Sequence, residues 1–473
     1  MNPILPLNEY VPDVEAHVFG DRVYLYGSHD KAHSDRFCVQ DYTVYSAPVD
    51  DLTDWKCHGS SYRKDQDPHS INGEPVDFYA PDCVRGNDGK YYLFYVAMGP
   101  NTINFGPISI AVSEHPEGPF DYLGDVRYPD GSVVLKYMNN DPAVLNDGGK
   151  IYLYYGWGLG RDFRSKVMKP VYDRVLGAIA HRTLKEVRET KPCILSCAFA
   201  ELEDDMLTVK RGPFAVLDSK TTAEKGTGLY DHPFYEAPSI RKIGDLYYLV
   251  YSSGANNELA YAVSEYPDRD FRFKGVIVSN SDLGYKGNKE PKNNASTIHG
   301  SIERIGGKDY VFYHRCTNNT DFSRQVCAEP ISIGSDGAIE QVEMTTSGVE
   351  GAIPGNGTYP AGICCNLITP KKIRIGVGKQ QTLPRITEKD GELILADLTA
   401  GTEAVYKYFD LGEPKRLRVV FGGDAEIQVN GIGTDEDGCV TLPADPKLTV
   451  RIKVVKGKCD IRLLEFFELQ KQE

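Results

Sequence analysis

The sequence is short of positive charge: 53 Lys and Arg stand against 67 Asp and Glu, a formal net charge of −14. Such a surface cannot release phosphate counterions on the scale that nucleic-acid binding needs, so no nucleic-acid partner is expected. Long apolar runs are also missing, none approaching the roughly 20 residues of a membrane span, and no membrane partner is expected. The first residues, MNPILPLNEYVPD, lack a basic stretch, an apolar core and a small-residue cleavage site. They do not read as a secretory signal, and a cytoplasmic setting is the expectation. The 11 cysteines are odd in number and have no metal-finger spacing, with Cys364 and Cys365 alone adjacent. That excludes a zinc-finger pattern and fits free thiols in a reducing compartment. Helical periodicity is scarce too; Tyr172 to Glu189 is the main candidate, read as a loop insertion.

What is abundant is tyrosine, 30 residues against 18 Phe and 2 Trp. Tyrosine suits half-buried strands and surfaces that meet polar ligands. Many of these residues fall in a repeat: Gly20-Asp-Arg-Val-Tyr-Leu-Tyr26, Asp88-Gly-Lys-Tyr-Tyr-Leu-Phe-Tyr95, Gly148-Gly-Lys-Ile-Tyr-Leu-Tyr-Tyr155, Gly244-Asp-Leu-Tyr-Tyr-Leu-Val-Tyr251 and Gly307-Lys-Asp-Tyr-Val-Phe-Tyr313. Each copy opens with tight-turn residues and runs into an aromatic strand, so each is the second half of a β-hairpin. The spacing leaves room for about four strands per copy. The expected class is all-β: a five-bladed β-propeller over residues 1–338, followed by a smaller antiparallel β-sandwich over 339–473. The sandwich is read from alternating runs such as Arg416–Phe421, Glu426–Val429, Leu448–Val455 and Asp460–Phe466. It is a candidate oligomer contact.

In a propeller the innermost strands line a channel, so polar residues at their starts converge. Those positions hold Asp13, Asp82, Asp141, Glu236 and His299, an ionisable group at an equivalent point of every blade. Carboxylates sharing a pocket cannot all ionise freely, which splits their pKa values as acid–base catalysis requires. Metal chelation, with His299 as a ligand, is the competing use of the same groups. Tyr79, Trp157, Phe234 and Tyr235 flank the acidic positions and offer sugar-face contacts, with core packing as the alternative for each.

The order Pro12-Asp13, then Asp141-Pro142 ahead of Leu145-Asn-Asp-Gly-Gly-Lys-Ile-Tyr-Leu153, then Glu236-Ala-Pro-Ser-Ile240, then His299-Gly300 resembles glycoside hydrolase family 43 over about residues 3–335. The resemblance implies a five-bladed propeller that hydrolyses terminal β-D-xylosyl or α-L-arabinofuranosyl bonds of oligosaccharides with inversion. It implies Asp13 as general base, Asp141 as the group that orients the acid and raises its pKa, and Glu236 as general acid. It also implies Arg324 as the last blade's arginine, binding a sugar hydroxyl or holding Asp13 ionised. His299 would lie beside a channel calcium ion or water; no organic cofactor is implied. The family commonly has Pro-Asp-Pro, whereas Val14 and Glu15 follow Asp13 here. Glu15 and His17 are therefore further candidates for the base region, against a rim salt bridge for Glu15. For Asp82, a structural hydrogen bond and a substrate contact stay open. Thr402–Leu411 is similar to a strand of family 6 carbohydrate-binding modules. Endo-acting arabinanase or galactofuranosidase action, and a non-catalytic sugar-binding propeller, stay open as alternatives, with the insertion over residues 158–191 favouring exo action.

Overall fold

The computed structural model describes residues 1–69, 76–99, 106–160, 162, 168–254, 257–373, 375–376 and 381–469. Every copy of the repeat forms the second strand of its own antiparallel sheet. In all five hairpin turns a glycine has positive φ, as at Gly20 (67°) and Gly244 (62°), a conformation that side chains with a Cβ resist.

The first blade is β1 (Glu15–Phe19), β2 (Arg22–Tyr26), β3 (Tyr42–Pro48) and β4 (Lys56–Tyr62); the second is β5 (Asp77–Arg85), β6 (Tyr91–Met98), β7 (Ile108–Ser113) and β8 (Asp121–Asp125). The third holds β9 (Ala143–Asp147), β10 (Lys150–Gly156), β11 (Ser196–Leu202) and β12 (Val209–Asp218). The fourth holds β13 (Phe234–Ile243), β14 (Leu246–Ser253), β15 (Glu258–Ser264) and β16 (Arg272–Ser279), and the fifth β17 (Ile302–Ile305), β18 (Lys308–Cys316) and β19 (Arg324–Ile331). The inner strands β1, β5, β9, β13 and β17 touch in that order, and β17 touches β1, closing the ring.

The fifth blade thus has three strands among the described residues, not four. The N-terminus covers its outer edge: Ile4 N donates to Val326 O (3.1 Å), and the Asn2 side chain both donates to Ala328 O (3.2 Å) and accepts from Ala328 N (2.9 Å). First and last blades are joined there by hydrogen bonds from residues far apart in sequence.

Five apolar clusters fill the five seams between neighbouring blades. Tyrosines dominate several of them, Tyr26, Tyr42, Tyr95, Tyr154, Tyr251 and Tyr313 being fully buried. Most of the tyrosine surplus is therefore core material rather than ligand surface. Buried hydroxyls find carbonyls, as Tyr26 does at Pro116 (2.6 Å) and Tyr251 at His232 (2.9 Å).

The expected helical insertion is two helices, α1 (Lys169–Ala180) and α2 (Leu184–Glu189), separated at His181, whose φ is 52°. A capping box starts α2: Glu186 N donates to Thr183 Oγ1 (3.2 Å) and Thr183 N to Glu186 Oε2 (2.7 Å). Leu176, Ala180 and Val187 tie the pair into the seam of the second and third blades.

Residues 339–344 still lie on the propeller, with Val342 bridging Val278 and Ile339 and Met344 in the core of the fourth and fifth blades. The C-terminal sheet begins at Ile353 and encloses one apolar core. Its pairings are antiparallel except that Ile353–Pro354 runs parallel to Phe409–Asp410. Runs expected as four short strands are two long ones, Lys415–Val429 and Asp445–Glu468, paired along most of their length.

Candidate active site

The chain kinks where it enters the channel. Asp13, Ala80, Asp141 and Ala237 occupy matching positions ahead of β1, within β5, ahead of β9 and within β13, and all have positive φ (58°, 25°, 47° and 61°). Such conformations cost about 1–3 kcal/mol each and persist where the surrounding structure fixes them. The match corrects two expectations: Glu236 lies one residue ahead of the matching position held by Ala237, and Asp82 is not equivalent to Asp13 and Asp141 but lies two residues further down its strand, level with Glu15 and Ser239. The channel is layered, and Asp82 belongs to the lower layer. There it accepts hydrogen bonds from Val144 N (2.7 Å) and Cys83 N (2.7 Å) and pairs with His17 Nε2 (2.6 Å).

Asp13, Asp141 and Glu236 line one pocket of about 230 Å³. Arg324 Nη1 donates to Asp13 Oδ1 (2.7 Å), while its Nε (2.7 Å) and Nη2 (3.0 Å) grip both oxygens of Asp30. The guanidinium also lies over the Phe37 ring, 4.8 Å from its centroid. His314 Nδ1 accepts from Asp13 N (3.4 Å) and pairs at Nε2 with Thr297 Oγ1 (3.1 Å); His299 Nδ1 is 3.9 Å from Asp13 Oδ1. Asp141 Oδ2 accepts from Ala237 N (3.0 Å), which fixes the kink beside Glu236.

These surroundings drive the carboxyl groups apart. Burial alone would raise Asp13, but Arg324, His314 and His299 outweigh it and hold its pKa below the ordinary carboxylate value. Burial, reinforced by the Asp13 charge, lifts Glu236 to about 7. Burial and the nearby Glu236 and Asp13 charges raise Asp141 well above its usual value. Burial lowers His299 to about 4 and His314 to about 3, so both imidazoles are neutral near pH 7.

Of the expected sugar contacts, Tyr79 and Trp157 line the pocket, and Trp157 hydrogen-bonds Glu236. Phe234 does not. It is fully buried in the seam of the third and fourth blades, 6.0 Å from Tyr251, while Tyr235 faces the pocket and packs against Trp157 (6.1 Å). Successive strand residues point to opposite faces, and Phe234 has the inner phase. Arg324 lines the pocket, but its donors meet Asp13 and Asp30. Glu15 is not at a rim: it is 1% exposed and bonded by Arg241 Nη2 (2.9 Å). Neither Glu15 nor His17 lines the catalytic pocket.

Sequence reasoning missed Asp30, Phe37, Met98, Asn140, Thr297 and His314. Signals for His314 and Met98 were there, since each lies on the strand that carries a copy of the repeat; Asp30, Phe37, Asn140 and Thr297 lie on loops without a pattern. Among the described residues, the one group of three or more His, Cys, Asp or Glu ligand atoms lying together is Glu15, His17 and Asp82, and His299 is not part of it.

Residues 1–339 match the sequence profile of Glycosyl hydrolases family 43. A xylosidase/arabinosidase of Thermoclostridium stercorarium is 40% identical over 439 residues, 89% of this chain and 85% of that protein. A beta-xylosidase of Xylanibacter ruminicola is 28% identical over 349 residues, 71% of this chain and 98% of that protein. A GH43 beta-xylosidase/alpha-arabinofuranosidase from a compost microbial metagenome, solved with xylotriose, superposes with a TM-score of 0.55 at 28% identity, over 72% of this chain and 97% of that one. A Bacillus subtilis arabinoxylan arabinofuranohydrolase, 17% identical, shares the fold over 100% of this chain and 95% of its own, with a TM-score of 0.51. The profile match ends at residue 339, and Thr402–Leu411 lies outside it.

Proposed function

The chain belongs to glycosyl hydrolases family 43, and from that premise we propose an inverting, exo-acting glycosidase that releases terminal β-D-xylosyl or α-L-arabinofuranosyl residues from short hemicellulose-derived oligosaccharides. The observation that carries the reading is the opposed tuning of two carboxyls in one pocket: Asp13 held ionised by Arg324, and Glu236 kept protonated up to about 7.

In this reading Asp13 takes a proton from water as the water attacks the anomeric carbon, and Glu236 gives its proton to the departing glycosidic oxygen. Asp13 ends protonated and Glu236 ionised, and exchange with solvent resets both. Asp141 acts through position: its bond to Ala237 N holds the kink beside Glu236. Trp157, Tyr79 and Tyr235 supply apolar faces for the sugar ring. A pocket of about 230 Å³ lies below the roughly 300–1,000 Å³ of sites for drug-sized ligands, which supports a single terminal sugar over a chain lying across an open cleft. Two carboxyls and a water suffice, so no organic cofactor is proposed. All eleven cysteines are unpaired, which supports a reducing compartment such as the cytoplasm.

Release of nitrophenol from the α-L-arabinofuranoside and the β-D-xyloside, with the anomer of the first product read by proton NMR, tests the reading. Turnover with inversion on at least one substrate is expected. Absence of turnover on both, or a product of retained configuration, overturns it.

A further inference from the structure

Beneath the catalytic layer lies a second cluster that this mechanism does not use. Glu15 and His17 descend β1 on one face, two residues apart, and Asp82 approaches from β5. One ligand atom from each of the three lies within 4.8 Å of the other two. Donors bound to a common divalent ion stand about 2.1 Å from it, and hence about 3.0–4.2 Å from one another, a spacing within reach of small side-chain rotations.

Two features of the cluster favour a cation. Glu15 Oε2 receives Ser239 Oγ (3.0 Å) and Arg241 Nη2 (2.9 Å), but Glu15 Oε1 is sealed from solvent with no hydrogen-bond partner. A buried carboxylate oxygen without a donor is costly. The cluster is also rich in acidic groups. Arg241 is shared between Glu15 and Glu303 (Nε to Oε2, 2.7 Å), so with Asp82 three carboxyl groups face one guanidinium, and the His17 imidazole lies beside them. An imidazole beside grouped carboxyl groups is the donor set of a borderline divalent cation.

We propose that Glu15, His17 and Asp82 bind one Zn²⁺ or Mn²⁺ ion in the propeller channel, one layer below the catalytic pocket. The ion replaces the proton that His17 Nε2 shares with Asp82, which moves to Nδ1, and gives Glu15 Oε1 its partner. It joins β1 to β5 directly. Through the bonds of Asp82 to Val144 and of Glu15 to Ser239 it also braces β9 and β13. Its expected effect is on the stability of the closed ring, not on the chemical step.

The test strips the full-length protein with a chelator, dialyses it against Zn²⁺, Mn²⁺ or Ca²⁺, and measures bound metal per chain and Tm. Wild type should retain one equivalent of Zn²⁺ or Mn²⁺ and gain several degrees in Tm. Glu15→Gln and His17→Gln should lose both the equivalent and the gain, while His299→Gln keeps them. Should Glu15→Gln fold poorly, His17→Gln at the partly exposed ligand carries the comparison. Absence of bound Zn²⁺ and Mn²⁺, binding that survives both substitutions, or binding abolished by His299→Gln would overturn the proposal.

Discussion

Asp13 and Glu236 share a pocket, yet their neighbours push them in opposite directions, because the Arg324 guanidinium donates to Asp13 and Asp30. With Asp13 required as its anion and Glu236 as its acid, kcat/KM is expected to fall as pH rises through about 7 and to fall again below the depressed pKa of Asp13. Arg324→Gln should move the acidic limb to higher pH and lower kcat/KM at pH 6 by about 10²-fold or more, the range lost with a general base. A pH–rate profile whose acidic limb stays in place would show that Arg324 does not set the charge of Asp13. At this scale the convergence of Asp13, Asp141 and Glu236 on one pocket was legible because each adjoins a proline-marked start of an inner strand. Phe234 and Asp82 were misplaced for one reason: the kink at Ala237 or Ala80 shifts strand phase, and nothing in the residue types says by how much.

The elements that hold the site are tightly fitted at their ends. Gly300, just after His299, has Phe312 O only 1.8 Å from where a Cβ would stand, so the chain entering β17 can lie against β18 only with glycine there. Gly300→Ala should cost at least the roughly 1–3 kcal/mol of an overpacked core site and lower kcat by displacing His299; an unchanged Tm would contradict this packing. Hairpins were readable because turn residues and aromatic strands repeat together. The long C-terminal strands were not. Arg416–Phe421 and Glu426–Val429 read as separate runs, but they belong to one strand, and Gly423 between them lies close against its partner, its Cβ position 2.5 Å from Lys458 O. Glycine serves turns and close approaches alike, and sequence does not separate them.

For the whole molecule, the five-fold repeat announced a closed ring, whereas the union of propeller and sandwich left no mark. It rests on polar residues that resemble surface ones. Arg315, 3% exposed, reaches from β18 to Gly362 O (2.9 Å) and Cys364 O (3.1 Å), and Lys407 of the sandwich meets Glu343 (2.8 Å) and Asp282 (3.5 Å). Arg315→Ala should destabilise the chain by about 1–3 kcal/mol for each carbonyl left without a partner, read from urea denaturation. A wild-type midpoint would show that the two parts are joined by other contacts.

The central claim is the division of labour between Glu236 and Asp13, and leaving-group dependence tests it most directly. Glu236→Gln and Asp13→Asn, each shown to be folded by circular dichroism, are assayed on xylobiose and on a dinitrophenyl β-D-xyloside whose leaving group needs no proton. The account predicts that Glu236→Gln loses xylobiose hydrolysis but keeps much of its activity on the dinitrophenyl substrate, while Asp13→Asn loses both. Equal losses of Glu236→Gln on the two substrates, or activity retained by Asp13→Asn, would contradict it.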